Sequence, residues 1–180
     1  MLNWLDNYED AIQQATAARL PILLQFYKTN CSGCQKMDHE VFSDETLVSE
    51  IRRKFVPPRQ DILAKTRMRS QYSAIWTPSF YFLNSRGAPF WFFEGALNTE
   101  DFLFILAIGE VHILLPKGRY SEAPDILESL IQKYPTNPRT AQLIMLNGMA
   151  YYLKYSDKDA FHAAMSQIVE EHPQSAEAGM

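Results

Sequence analysis

The 180-residue sequence predicts an α/β domain built on a mixed sheet and followed by an all-α extension of helical hairpins. Three observations carry that prediction. Short apolar runs alternate with segments of helical periodicity as far as about residue 97. The last two of these runs are separated only by the turn Asn84-Ser85-Arg86-Gly87, so they pair as a hairpin rather than through a crossover helix. Beyond that point every periodic segment is helical, and two proline-closed segments, Tyr120 to Pro135 and Lys158 to Pro173, align at an offset of 38 residues.

Taken in order, Asn7 to Arg19 suits a first helix with Tyr8, Ile12 and Ala15 on one face, ended by Pro21. Ile22 to Tyr27 is a near-continuous apolar run, the pattern of a strand covered on both faces. After Lys28-Thr29-Asn30, the Cys31-Ser32-Gly33-Cys34 motif opens a helical stretch through Val41, and Ser43-Asp44 caps another helix from Glu45 to Phe55. Residues 55–62 carry a strand signal that Pro57-Pro58 pushes to an edge or a late start. A helix from Leu63 to about Tyr72 precedes Trp76-Thr77-Pro78, which breaks it. Ser79 to Leu83 and Phe90 to Phe93 are aromatic-rich strands, and the stretch Phe80 to Phe93 reads as sheet core.

The 38-residue offset lies near the tetratricopeptide or HEAT range. Pro124 fits a helix start, where its missing N–H costs little. Two repeat units are fewer than the roughly three needed for independent stability, so the hairpins are expected to pack on the α/β domain. Met145, Met149, Tyr151, Tyr152 and Tyr155 read as their core.

Composition narrows the function. With 47% apolar and 13% aromatic residues the chain can bury a core, which excludes a disordered protein. Seventeen basic against 21 acidic side chains, a net charge of −4, argue against a dedicated nucleic-acid binder. Phe102 to Leu115, the most apolar stretch, contains Glu110 and His112 and is too short to cross a bilayer. Asp6, Glu9 and Asp10 fall within the first ten residues, which do not read as a signal peptide, so a cytoplasmic location is expected. Residues 52–69 hold Arg52, Arg53, Lys54, Arg59, Lys65, Arg67 and Arg69 against one acid, Asp61. That cluster reads first as a solvated face of two helix ends. Its second reading is a docking patch for an acidic partner, centred on Arg52, Arg53, Lys54 and Arg59.

Two cysteines exclude a disulfide-scaffolded domain, and both sit in one motif. At a helix N-terminus, unpaired N–H groups and a partial positive charge stabilise a thiolate at Cys31, and Cys34 lies one turn deeper. Cys31 is thus the expected nucleophile and Cys34 the resolving thiol of disulfide exchange. Lys28 and Lys36 flank the motif and read as solvated or as support for the thiolate. The competing zinc reading needs four ligands, and His39, His112, His162 and His172 lack the spacing to supply them. A third reading is a vestigial pair on a binding module.

Cys31 to Cys34, followed by Met37-Asp38-His39-Glu40-Val41-Phe42-Ser43, then Phe55-Val56-Pro57, Asp61-Ile62, Trp76-Thr77-Pro78 and Gly95-Ala96-Leu97, resembles the thioredoxin-like family over roughly residues 1–110. The resemblance implies a cis Pro78 that faces the dithiol and, with Thr77, shapes a substrate groove. Trp76 then flanks the groove or packs in its loop. Two positions depart from the family pattern: Asn30 stands where Trp is usual, and Gln25 where a buried Asp is usual. They point to a specialised role rather than a general reductant. The expected organisation is a thioredoxin-like domain at 1–112 and a tetratricopeptide-like extension at 113–180, sharing a helix at about 99–116. The expected function is thiol–disulfide exchange on proteins bearing disulfides or dithiols. No metal or organic cofactor is needed, because electrons come from a partner reductase or dithiol. The alternative is an adaptor in which the hairpins bind a partner and the cysteines are not catalytic.

Overall fold

The computed structural model of the protein describes every residue except Lys65, and the side chain of Thr66 is likewise left undescribed. The Lys65 member of the basic cluster therefore lies outside the described residues. The chain divides into two compact units, Met1–Gly109 and Glu110–Met180.

In the first unit, α1 (Tyr8–Ala18) starts where the Asn7 side chain accepts hydrogen bonds from the Glu9 and Asp10 N–H groups. It ends at Arg19 in the left-handed region, just before Pro21. Then follow β1 (Ile22–Tyr27), α2 (Ser32–Glu40), α3 (Glu45–Lys54), β2 (Arg59–Asp61), α4 (Thr66–Gln71), β3 (Ser79–Leu83) and β4 (Pro89–Glu94), with α5 (Thr99–Leu114) beginning in this unit. Asp44 caps α3 by accepting from Leu47 N–H at 2.8 Å. Among the described residues the strands form one sheet in the order β2-β1-β3-β4. β1 is parallel to β2 and antiparallel to β3, and β3 is antiparallel to β4.

The proline pair explains why β2 starts late. Leu23 and Gln25 of β1 donate to the Val56 and Pro58 carbonyls, each at 3.0 Å, so the prolines still accept although they cannot donate. On the outer side Leu5 pairs with this segment through Leu5 N–H to Pro57 O at 2.9 Å and Arg59 N–H to Leu5 O at 2.8 Å. The edge is thereby covered.

Alternation along β1 divides the core. Ile22, Leu24 and Phe26 pack with Ala11, Ala15, Tyr72, Tyr81 and Leu83 on one face. The other face carries Phe80 and Phe82, whose rings meet Phe42, Phe102 and Phe55 at centroid distances of 4.9–6.0 Å. The aromatic stretch expected as uniform core is split: β3 is buried throughout, whereas β4 is an edge strand with Phe92 largely in solvent, stacked on Tyr81. Gly87 occupies the hairpin turn at φ +84°, where a Cβ would strike the Tyr8 hydroxyl. The Gly87 carbonyl accepts from Tyr72 at 2.8 Å, and Tyr8 donates in turn to Tyr72 at 2.5 Å. Burial pushes both phenols above their ordinary pKa, so the chain stays neutral and intact at physiological pH.

The second unit holds the end of α5, then α6 (Ala123–Lys133), α7 (Thr140–Tyr155) and α8 (Lys158–Glu171). Pro124 sits in the first turn of α6. Ala141, Ile144 and Ile168 form its small core with Ile131, Met145, Ala164 and Met165. Gly148 lets α7 approach α8, since a Cβ there would lie 2.6 Å from that of Ala164. Three tyrosines expected in this core are not there. Tyr151, Tyr152 and Tyr155 are 37%, 39% and 59% exposed, because the last turn of α7 is only partly covered. Their rings shelter instead against neighbours, Tyr151 on Tyr155 and Tyr152 on Phe161, both at 6.2 Å.

Gly109 of α5 faces the Phe82 ring so closely that any Cβ would overlap it. Gly109→Ala gains about 1 kcal/mol of helix propensity but must displace a buried ring, at a cost of about 1–3 kcal/mol. Because the overlap falls on ring carbons, packing wins. Denaturant titration is expected to show a lower midpoint with an unchanged slope.

Candidate active site

Strand direction assembles the site. β1, β2 and β4 run one way and β3 the other, so the residues after β1, after β2 and after β4 and those before β3 all fall at one edge of the sheet. These are Lys28 to Gly33, Ile62-Leu63, Ala96 and Thr77-Pro78. Sites of open α/β sheets favour this edge, outside the carboxyl ends of the parallel strands.

Beyond β1 the chain turns through Cys31 N–H to Lys28 O at 3.1 Å, and Gln35 steadies the turn by donating to Thr29 O at 3.3 Å. Cys31 is the cap of α2: its sulfur accepts the Cys34 N–H at 3.1 Å, one of the donors a helix start leaves unpaired. Cys31 and Cys34 are joined as a disulfide with their Cα atoms 5.2 Å apart. Their environments differ. Cys31 is partly exposed at the helix start, whereas Cys34 is 1% exposed and packs inward with Met37.

The Thr77–Pro78 peptide bond is cis, in agreement with the resemblance, and Pro78 is buried with its carbonyl accepting Gly95 N–H at 2.8 Å. Gly33 packs closely under this loop. A Cβ at position 33 would lie 3.2 Å from Pro78 Cδ and 3.2 Å from Ala96 Cβ. Thr77 and Pro78 therefore line the same open groove as Cys31, of about 550 Å³. Trp76, whose place the sequence left open, stands on the groove wall at 63% exposure, beside Ile75 at 77%.

Sequence reading missed Ile62, Leu63, Arg69, Ile75 and Ala96 as groove residues. Strand order brings Leu63 and Arg69 to it, whereas Ile75 stands next to Trp76 in the sequence. His39 is exposed, and Lys36 pairs with Glu40 at 3.8 Å, so neither belongs to the groove, whereas Lys28 lines it. The basic cluster also needs correcting. Arg59 is not part of an open cationic patch with Arg52, Arg53 and Lys54: its guanidinium is largely buried, paired with Asp38 at 2.7 Å and laid over the Tyr27 ring at 4.1 Å. Such stacking holds the planar cation against the strand. Arg53 and Lys54 share Glu50 at 2.7 and 3.6 Å, and Arg52 donates to Met1 O.

Gln25 is fully buried in β1, opposite Phe80 on the sheet face that carries Phe42 and Phe102. Neither its amide nitrogen nor its oxygen has a hydrogen-bond partner in the protein. Among the described residues no group of three or more His, Cys, Asp or Glu is placed to hold a metal ion, and no helix is long and apolar enough to cross a membrane.

The model of the thioredoxin-like domain matches residues 8–108, more than half of the chain and the whole of the sheet. The chain belongs to the thioredoxin-like family. Solved structures share the fold. A thioredoxin from Thermus thermophilus is 24% identical with a TM-score of 0.53, over 58% of this chain and 84% of its own. The DsbH oxidoreductase is 14% identical with a TM-score of 0.52, over 61% and 84%. A candidate disulphide-isomerase from Bacteroides thetaiotaomicron is 22% identical with a TM-score of 0.54, over 61% and 91%. No curated protein sequence matches the chain.

Within this thioredoxin-like frame two outcomes are expected. In the reduced protein, brief alkylation followed by mass spectrometry labels Cys31 ahead of Cys34 by roughly tenfold or more, since only the former meets solvent. Gln25→Met, which keeps the shape and removes two unpartnered polar atoms, raises stability by about 1 kcal/mol in denaturant titration.

Proposed function

We propose that the protein is a thiol–disulfide oxidoreductase acting on protein disulfides or dithiols, with Cys31 as nucleophile and Cys34 as resolving thiol. The observation that carries this reading is the asymmetric disulfide at the head of α2, one sulfur open to the groove and the other buried. In the reduced protein the Cys31 thiolate attacks one sulfur of a substrate disulfide. A Cys31–substrate bond forms, the substrate S–S bond breaks and its other sulfur leaves as a thiolate. Cys34, having lost its proton, then attacks Cys31 sulfur, releasing the second substrate thiolate and leaving the Cys31–Cys34 disulfide. Two electrons have passed to the substrate, and a donor dithiol restores the protein by the reverse sequence.

Thr77 and Pro78 are the proposed floor of the substrate groove and Trp76 its wall, supported by their shared lining with Cys31. The exposed apolar side chains of Leu63, Ile75 and Trp76 suit contact with an extended, partly unfolded segment rather than with water. Gln25 supports a specialised exchange, because an amide cannot take a proton from a thiol at neutral pH.

For the second unit we propose a tetratricopeptide-like hairpin arrangement, with the domain boundary near residue 112 and α5 shared between both parts. The adaptor reading draws on one observation, the exposed Tyr151, Tyr152, Leu153 and Tyr155 of α7. The double variant Cys31→Ser, Cys34→Ser separates the two: an adaptor keeps its function, whereas an oxidoreductase loses it while remaining folded.

The direct test is Cys34→Ala. Covalent complexes are expected to accumulate through Cys31 and to dissolve in dithiothreitol on a non-reducing gel. A variant that traps nothing, together with a wild-type dithiol that does not cycle reversibly, defeats the proposal.

A further inference from the structure

We infer that the groove over the dithiol selects protein segments that carry an acidic residue beside the reacting cysteine, and that Arg69 and Lys28 are the specificity-determining residues. This rests on the exchange chemistry proposed above and goes beyond it by naming the substrate class.

Charge at the site is one-sided. Among the described residues, only Lys28 and Arg69 of the side chains that line the groove are charged, both positively, on a chain whose net charge is −4. The acid nearest in sequence to the β2 end of the groove, Asp61, is turned back into its own loop, where it accepts Leu63 N–H at 2.8 Å. Other cations of this unit are engaged or lie elsewhere: Lys36 pairs with Glu40, Arg53 and Lys54 with Glu50, and Arg59 with Asp38, while Arg67 lines a different cavity beside Glu9 and Gln60. Among the described residues neither Lys28 nor Arg69 makes an ion pair, and both are exposed. Two uncommitted cations thus flank Cys31, from the loop after β1 and from α4.

Their placement fits a carboxylate carried next to the substrate sulfur. A guanidinium offers a planar fork to a carboxylate, and Lys28 offers a second, movable charge. Exposed Ile75, Trp76 and Leu63 supply the apolar remainder of the surface, so a bound segment would cover the cations and lower the local dielectric around them. Complementary charge acts chiefly on encounter and discrimination, so its effect belongs in kcat/KM. A basic segment meets two like charges instead.

The test uses three disulfide peptides, identical except for Glu, Gln or Lys at the two positions flanking the cysteine, with oxidised glutathione as a small carboxylate-bearing disulfide. Oxidation of the reduced protein is followed for each. The expected order of kcat/KM is Glu above Gln above Lys, spanning about tenfold at low ionic strength and narrowing as salt is added. Arg69→Glu is expected to reverse the order, and adding Lys28→Glu to widen the reversal. Circular dichroism confirms that these exposed substitutions leave the fold intact. Equal rates for the three peptides, with exchange still dependent on Cys31, overturn the specificity inference and leave the oxidoreductase reading standing. Oxidised glutathione outpacing the Glu peptide overturns the assignment to a protein segment. Exchange with none of the four disulfides overturns the oxidoreductase reading itself.

Discussion

Two-sided burial of β1 is the constraint from which the site follows. Five of its six residues, Ile22 to Phe26, are buried, so its apolar side chains must be covered by helices on both faces of the sheet. A slip of one residue in such a strand would exchange its two faces and move Gln25 to the other one. The chain must then leave the sheet after Tyr27, and the next helix must begin there. Parallel pairing with β2 and antiparallel pairing with β3 bring the later loops to the same edge.

Given that frame, the local chemistry needs few further residues. α2 begins at the sheet edge with Cys31 as its cap, where the helix field favours a negative charge, and one turn later Cys34 faces the core. Gly33 between them sits close to the loop, since a Cβ there would lie a tight 3.2 Å from both Pro78 and Ala96. A larger residue there would push the Thr77–Pro78 loop away from the sulfurs.

What the sequence revealed and what it hid follow the same division. β1, β3 and the cap of α3 were legible because apolar runs and capping side chains are local signals, spanning at most a few residues. The dithiol was legible for the same reason. The groove walls were not, since Leu63 and Arg69 come from separate stretches that strand order brings to the dithiol. Arg59 was misread because charge counting along a chain ignores direction: on β2 it turns toward Tyr27 and Asp38 rather than toward solvent. The α7 tyrosines were misread because residue type alone does not tell a helix that is covered all round from one whose last turn is only partly covered.

Gln25 carries the argument one step further. Its amide occupies a fully buried position on the sheet face that receives Phe42 and Phe102, and it has no partner in the protein. A group kept there at a desolvation cost of about 1–3 kcal/mol contributes little to stability. An amide is also no proton acceptor at neutral pH, so in the exchange proposed above the proton that Cys34 would lose cannot pass to position 25. Cys31, by contrast, caps α2 and meets solvent. The two half-reactions are therefore unequal. In the proposed exchange, attack by Cys31 is favoured by its partly exposed place at the helix start, while release by the buried Cys34 needs a proton acceptor other than Gln25.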